Sequence, residues 1–174
     1  RTLQTARVFE ELPGLQNLDV AAGAGRSVWT MLRRRPAGIP DEIAEALETI
    51  GLADHRETKA GVLAHGQKQW LEIGMLLVQN ASVLLLDEPV AGMSGEEREE
   101  TGQLLRRIGG ERTVVVVEHD MDFMRSFATS VSVLARGKVI AEGSVAQVQA
   151  NPKVQEVYLG TASAVGADIS VEGE

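Results

Sequence analysis

Two short runs without a polar residue, Val83-Leu84-Leu85-Leu86 and Val114-Val115-Val116-Val117, constrain this chain more than any other feature. Both are far too short to span a bilayer, which takes about 20 apolar residues in a helix. An uninterrupted apolar run of this length predicts a strand buried on both faces, and the valines of the second strengthen the reading. Between them, Ser94 and Glu97 have the spacing of a capping box. They open a helix with Leu104, Leu105 and Ile108 on one face, stopped by Gly109-Gly110. Strand, helix, strand implies a βαβ unit, hence an α/β fold with a mainly parallel sheet. The first run ends in Asp87-Glu88 and the second in Glu118-His119-Asp120. Parallel strands deliver such residues to the carboxyl edge of the sheet, where α/β proteins bind ligands.

The remaining punctuation is consistent with that frame. Pro36, Gly38 and Pro40 mark a turn-rich linker; Pro40-Asp41 then starts a helix with Ile43, Leu47 and Ile50 at helical spacing, ended by Gly51. A second helix is expected from Gln67 to about Gln79. Trp70, Leu71, Ile73, Met75, Leu77 and Val78 make it apolar almost all round, the pattern of a buried helix. Phe123 and Phe127 lie one turn apart on a short helix, and two strands flank the turn at Arg136-Gly137. Residues 161–174 lack periodicity and are rich in small side chains, so a disordered tail is expected.

With 174 residues the chain is long enough for a real core. Its net charge of −8 argues against a nucleic-acid surface, which needs clustered Lys and Arg; the one basic run, Arg33-Arg34-Arg35, is read as a solvated face or protein contact. The absence of cysteine excludes disulfides and thiolate metal sites. The chain opens Arg1-Thr2-Leu3-Gln4, without Met and without an apolar leader, and is expected to be an N-terminally incomplete piece of a longer protein.

Three segments carry chemistry. Asp87 at a strand end suits Mg²⁺, a hard ion that keeps much of its water; Glu88, pointing elsewhere, can orient and deprotonate an attacking water. His119 emerges at the same sheet edge, within reach of a phosphate. The third is Leu63-Ala64-His65-Gly66-Gln67. There Gly66 permits close backbone approach, and the adjoining helix offers unsatisfied N–H groups and a positive dipole end to an anion. Alone, an acidic turn, a histidine after a strand or a glycine before a helix is ordinary structure; the order and spacing of the three give them weight.

In that order the segments resemble the catalytic half of an ABC-type ATPase, from Arg1 to about Gly160. The resemblance implies a partial P-loop NTPase fold. Residues 1–66 would hold the Q-loop and helical signature subdomain, and 67–160 the Walker B, D-loop and H-loop part of the catalytic core. It places the signature at residues 63–67, Walker B at 83–88, the D-loop at Ala91-Gly92-Met93-Ser94, the switch histidine at His119 and the Q-loop glutamine at Gln4. The resemblance also implies a role for each residue: Glu88 and His119 catalytic; Gln4, Ala64, His65, Gly66, Gln67 and Ser94 nucleotide-binding; Asp87 and Gln4 on the metal. ATP and Mg²⁺ are the implied ligands. The implied partners are a second ABC ATPase protomer, identical or different, and transmembrane permease subunits that Val8, Phe9, Leu12 and Leu15 could touch. The implied location is peripheral, on the cytoplasmic face of the membrane.

Arg1-Thr2-Leu3-Gln4, Asp87 to Met93, Ala141-Glu142-Gly143 and Glu156 to Gly160 are similar to the branched-chain amino acid importer branch. The stretch from His65 to Met75 is similar to the urea and short-chain amide importer ATPases. Two departures stand out. Ala64 replaces the usual signature Ser, and losing a hydroxyl bond to a charged phosphate costs about 1.5–3 kcal/mol. No Gly-x-x-x-x-Gly-Lys-Ser/Thr loop occurs within the 174 residues: Gly25-Arg26-Ser27 lacks the upstream Gly, and Gly137-Lys138 is followed by Val139. The leading expectation is the ATP-hydrolysing subunit of an importer for urea, amides or branched-chain amino acids. The alternatives are a catalytically incompetent module that lends its signature and D-loop to a complete partner, and a non-transport ABC ATPase.

Overall fold

The computed structural model describes residues 7–23 and 38–157. Gln4, the 33–35 basic run and the 161–174 tail lie outside the described residues. Two compact units succeed one another along the chain, residues 1–119 and 120–174.

In the first unit, helices α1 (Gly14–Gly23), α2 (Asp41–Thr49) and α3 (His65–Leu77) pack together. Ile43, Leu47 and Ile50 are buried as their spacing predicts, and Gly51 leaves α2 at φ +70°, where glycine pays no Cβ penalty. Leu18 and Leu71 are fully buried. At Gly74 a Cβ would lie only 2.7 Å from Ile50 Cδ1 and 3.2 Å from Leu18 Cδ2, so its absence sets how closely α3 is approached. Helix α3 begins at His65, two residues before the expected start, and the anticipated 66/67 boundary falls within its first turn. Its Trp70 is half-buried rather than enclosed, with Nε1 donating to Thr101 Oγ1 at 2.8 Å.

Strands β1 (Val83–Asp87) and β2 (Thr113–Val117) pair in parallel, Val83 opposite Thr113 and Asp87 opposite Val117. Helix α4 (Gly95–Gly109) joins them and packs on β2. Its capping box is formed: Ser94 N–H donates to Glu97 Oε2 at 2.8 Å and Glu97 N–H to Ser94 Oγ at 3.3 Å. The expectation of strands buried on both faces is corrected. Leu84 and Leu86 are buried, but Val83, Leu85, Val115 and Val117 are 42–56% exposed. A continuous apolar run signals two covered faces; among the described residues this two-stranded sheet is covered on one.

In the second unit, α5 (Met121–Phe127) is capped by Asp120, which accepts from the N–H groups of Asp122 and Phe123. Strands β3 (Val131–Ala135) and β4 (Lys138–Gly143) form an antiparallel hairpin, and α6 (Val145–Gln149) packs against them. Arg136 and Gly137 both have positive φ, 49° and 74°, as a two-residue hairpin turn of matching twist requires. Met124, Val131, Val145, Val148 and Val154 are the core of this unit.

A partly buried carboxylate in α3 yields a stability prediction. Burial raises Glu72 above its ordinary value, against the opposing pull of Arg7 and His65. The folded protein therefore holds this proton longer than the unfolded chain. Stability is lost as pH rises from the normal Glu range through the raised value. Glu72→Gln is expected to lift the melting temperature at pH 7 by roughly 1–3 °C, a small effect because the site is half solvated. Scanning calorimetry at pH 4 and pH 7 checks it, the gain being confined to the higher pH.

Candidate functional site

Parallel pairing brings the ends of β1 and β2 side by side, so Asp87-Glu88 and Glu118-His119 share one sheet edge. Glu88 N–H donates to Val117 O at 2.9 Å, extending the ladder one residue past the strand. Its φ of 45° lies in the left-handed region, which costs a side-chain-bearing residue free energy and recurs at functional sites. The turn separates the two carboxylates, and Glu88 Oε1 stands 3.5 Å from His119 Nδ1. His119 is also 3.5 Å from Glu118 Oε2, which accepts the His119 N–H at 2.8 Å. The side chains of Glu88 and His119 are 56% and 80% exposed, whereas that of Glu118 is 2% exposed. Glu118 thus anchors the base of the histidine from below the surface. Sequence reading quoted it only as part of the Glu118-His119-Asp120 run.

Asp87 is an exposed carboxylate, and no cluster of three or more His, Cys, Asp or Glu able to cage a metal exists among the described residues. This donor set fits Mg²⁺ in the mode it prefers with nucleotides, one carboxylate plus waters and substrate phosphates.

The 63–67 segment lies elsewhere in the same unit. Ala64 is the N-cap of α3; its N–H donates to Gln67 Oε1 at 3.0 Å, but it returns no side-chain oxygen to the first turn. The start of this helix still offers backbone N–H groups and a positive dipole end. The His65 side chain is exposed but engaged: its Nε2 lies 3.0 Å from Ala91 O, in the loop after β1. Gly66 packs beneath Glu97, where a Cβ would come within 2.6 Å of Oε1. The Ser94 N–H and hydroxyl, then the Gly66 N–H and the neighbouring His65, hold Glu97 below its ordinary value. Among the described residues, then, the structure brings Glu88 and His119 together at the sheet edge, and separately sets His65 against the loop ending at Ser94 and Gly66 against its capping residue Glu97, while Ala64 and Gln67 bond to each other. Glu97 was legible only as a helix start; its second grip, on Gly66, left no trace in spacing.

A cavity of about 280 Å³ opens between α2 and the C-terminal ends of α3 and α4, lined by Glu42, Ala46, Leu77, Arg107 and Arg112 among others. It contains none of the candidate residues, and its arginines are committed: Arg107 donates to Thr49 O, Arg112 to Leu77 O and Ala81 O.

A family model described as ABC transporter matches residues 2–91, and one described as branched-chain amino acid ATP-binding cassette transporter matches residues 138–164. The chain is 33% identical over 172 residues to the high-affinity branched-chain amino acid transport ATP-binding protein BraF of Pseudomonas aeruginosa, covering 93% of this chain and 68% of that protein. It matches LivG of Escherichia coli K12 to the same extent. Among solved structures, it superposes on the ADP conformation of MJ1267, an ATP-binding cassette of an ABC transporter, with a TM-score of 0.70 at 28% identity. That match covers 87% of this chain and 64% of the other. The chain therefore spans about two thirds of the length of these relatives.

Proposed function

The chain belongs to the ABC transporter family of ATP-binding proteins, and from that premise we propose that it acts in the ATP-hydrolysing subunit of an importer for branched-chain amino acids. One observation carries the reading: Glu88 and His119 face each other at 3.5 Å on the edge of a parallel strand pair, with Asp87 beside them. Glu88 takes a proton from the attacking water, within reach of a histidine that steadies the γ-phosphate. Asp87 would hold Mg²⁺, which when bound would offset phosphate charge. Gln4 is the second candidate for the ion. Ala64, His65, Gly66, Gln67 and Ser94 serve the nucleotide held by a second protomer. The subdivision into a signature part, residues 1–66, and a catalytic part, residues 67–160, goes with these roles. Val8, Phe9, Leu12 and Leu15 are the candidate contacts for permease subunits at the cytoplasmic membrane face, Phe9 being exposed and the other three half-buried. No helix among the described residues is long and apolar enough to cross a membrane. The names of the relatives favour branched-chain amino acids; the stretch from His65 to Met75 is what supports urea or short-chain amides.

The 174 residues contain no Gly-x-x-x-x-Gly-Lys-Ser/Thr loop, whose backbone and Lys would cradle the β- and γ-phosphates. The purified chain is therefore expected to turn over no ATP alone, yet to associate with a complete ATPase protomer of the same branch when MgATP is added. Analytical ultracentrifugation with and without MgATP, beside an ATPase assay, tests both halves. Turnover by the chain alone that vanishes on Glu88→Gln would overturn the first. Absence of nucleotide-dependent association would overturn the second.

A further inference from the structure

The geometry assigns His65 a positioning role: its imidazole straps the loop after β1 to the start of α3, so that residues 63–67 and 91–94 present one surface. The Nε2 atom lies 3.0 Å from Ala91 O, a hydrogen bond in the tautomer that carries the proton there. The next residue, Gly92, has φ +73° and would place a Cβ 3.6 Å from Nε2 and 3.8 Å from Cδ2. The loop therefore turns beneath the ring with backbone alone, and the left-handed conformation at Gly92 is what aims the Ala91 carbonyl at it.

Two further links run parallel to the strap. Glu97 binds Ser94 through its capping box and packs against Gly66, where a Cβ would come within 2.6 Å of its Oε1, bringing the far end of the loop against the residue after His65. Trp70, one turn and a half along α3, donates to Thr101 Oγ1, whose hydroxyl lies 2.7 Å from Glu97 O and 3.4 Å from Met93 Sδ. The far end of the loop, Met93-Ser94, is thus held against α3 through Glu97, Thr101 and Trp70, and His65 supplies the direct tie at Ala91. As a ring donor on a short stem, His65 loses few rotamers in forming its bond. An aliphatic residue at this position would pack but could not hold the carbonyl. The role rests on the proposed function for its consequence: a partner's nucleotide that orders residues 63–67 would, through the strap, also order the 91–94 loop.

The test needs no nucleotide, so its failure and that of the ATPase reading are separable. Amide hydrogen exchange of the full chain is followed at Ala91, Met93 and Ser94 for the native protein, His65→Ala and His65→Gln, with Ile43 in α2 as the internal reference. His65→Ala is expected to speed exchange at the three loop amides about tenfold, the weight of one modest hydrogen bond. Ile43 should not change, and His65→Gln, which keeps an N–H donor, should restore slow exchange. Imidazole ¹⁵N spectra of the native chain should report the proton on Nε2. Unchanged loop exchange in His65→Ala, or a proton on Nδ1 alone, would overturn the strap. Fast exchange that Gln fails to restore would assign the effect to ring packing and overturn the hydrogen bond as its cause.

Discussion

Glu88→Gln in the complete protein is expected to slow ATP hydrolysis by about 10²–10⁴-fold, the usual worth of a general base. The substitution is informative because so little else changes. Gln keeps the volume and the hydrogen-bonding reach of Glu but cannot take a proton. The left-handed φ of 45° at this position costs Gln as much as Glu, and the backbone bond to Val117 O is indifferent to the side chain. The side chain is 56% exposed, so stability should move by no more than about 0.5 kcal/mol. Steady-state ATPase rates measured beside thermal unfolding separate the two effects. A large loss of rate at constant melting temperature supports the catalytic role. An unaltered rate would refute it and leave the strained turn at Glu88 without the function proposed for it.

That turn shows what could and could not be foreseen from residue order. The strands were legible because apolar runs bounded by charged residues have few other uses in a chain of this composition. Their parallel pairing came from the helix between them. Placing Glu88 and His119 on one edge needed nothing more. The 3.5 Å approach between them was not legible, because it depends on the positive φ at Glu88 and on Glu118 turning inward to hold the His119 N–H. Local backbone reversals and a buried carboxylate leave no periodic signal. The inference that both strands are covered on two faces failed for a related reason. Valine and leucine runs report the hydrophobicity of both faces, not which neighbours are present to cover them. His65 is the sharpest case. In the sequence it is one more histidine near a glycine; only folding brings Ala91, 26 residues away, under its ring.

The residue whose loss should most damage the fold is one that sequence patterning gives no reason to notice. Asn17 in α1 is fully buried, and both ends of its amide are hydrogen-bonded. Its Oδ1 accepts the Phe9 N–H at 2.7 Å, and the two hydrogens of its Nδ2 are shared among Phe9 O, Leu12 O and Pro13 O, each 3.1 Å away. One side chain thus bonds the backbone of residues 9, 12 and 13, the approach to α1, with exposed Phe9 at its tip. Asn17→Leu preserves size but leaves the Phe9 N–H without its acceptor, a loss of about 1–3 kcal/mol, while the three carbonyls keep backbone donors in Leu12, Ala60 and Asn17 itself and lose only their second bond. With the weakened second bonds added, the expected loss is about 2–3 kcal/mol, a sizeable share of the usual 5–15 kcal/mol. Urea unfolding of the chain followed by circular dichroism measures it. Asn17→Asp, which keeps the acceptor for Phe9 N–H but sets a carboxylate against three carbonyl oxygens, should be at least as damaging. If either variant unfolds at the native midpoint, the loop before α1 is held by its apolar contacts and the buried amide is incidental. If both are lost while Phe9→Ser is tolerated, the amide holds the segment and Phe9 is left available for a partner surface.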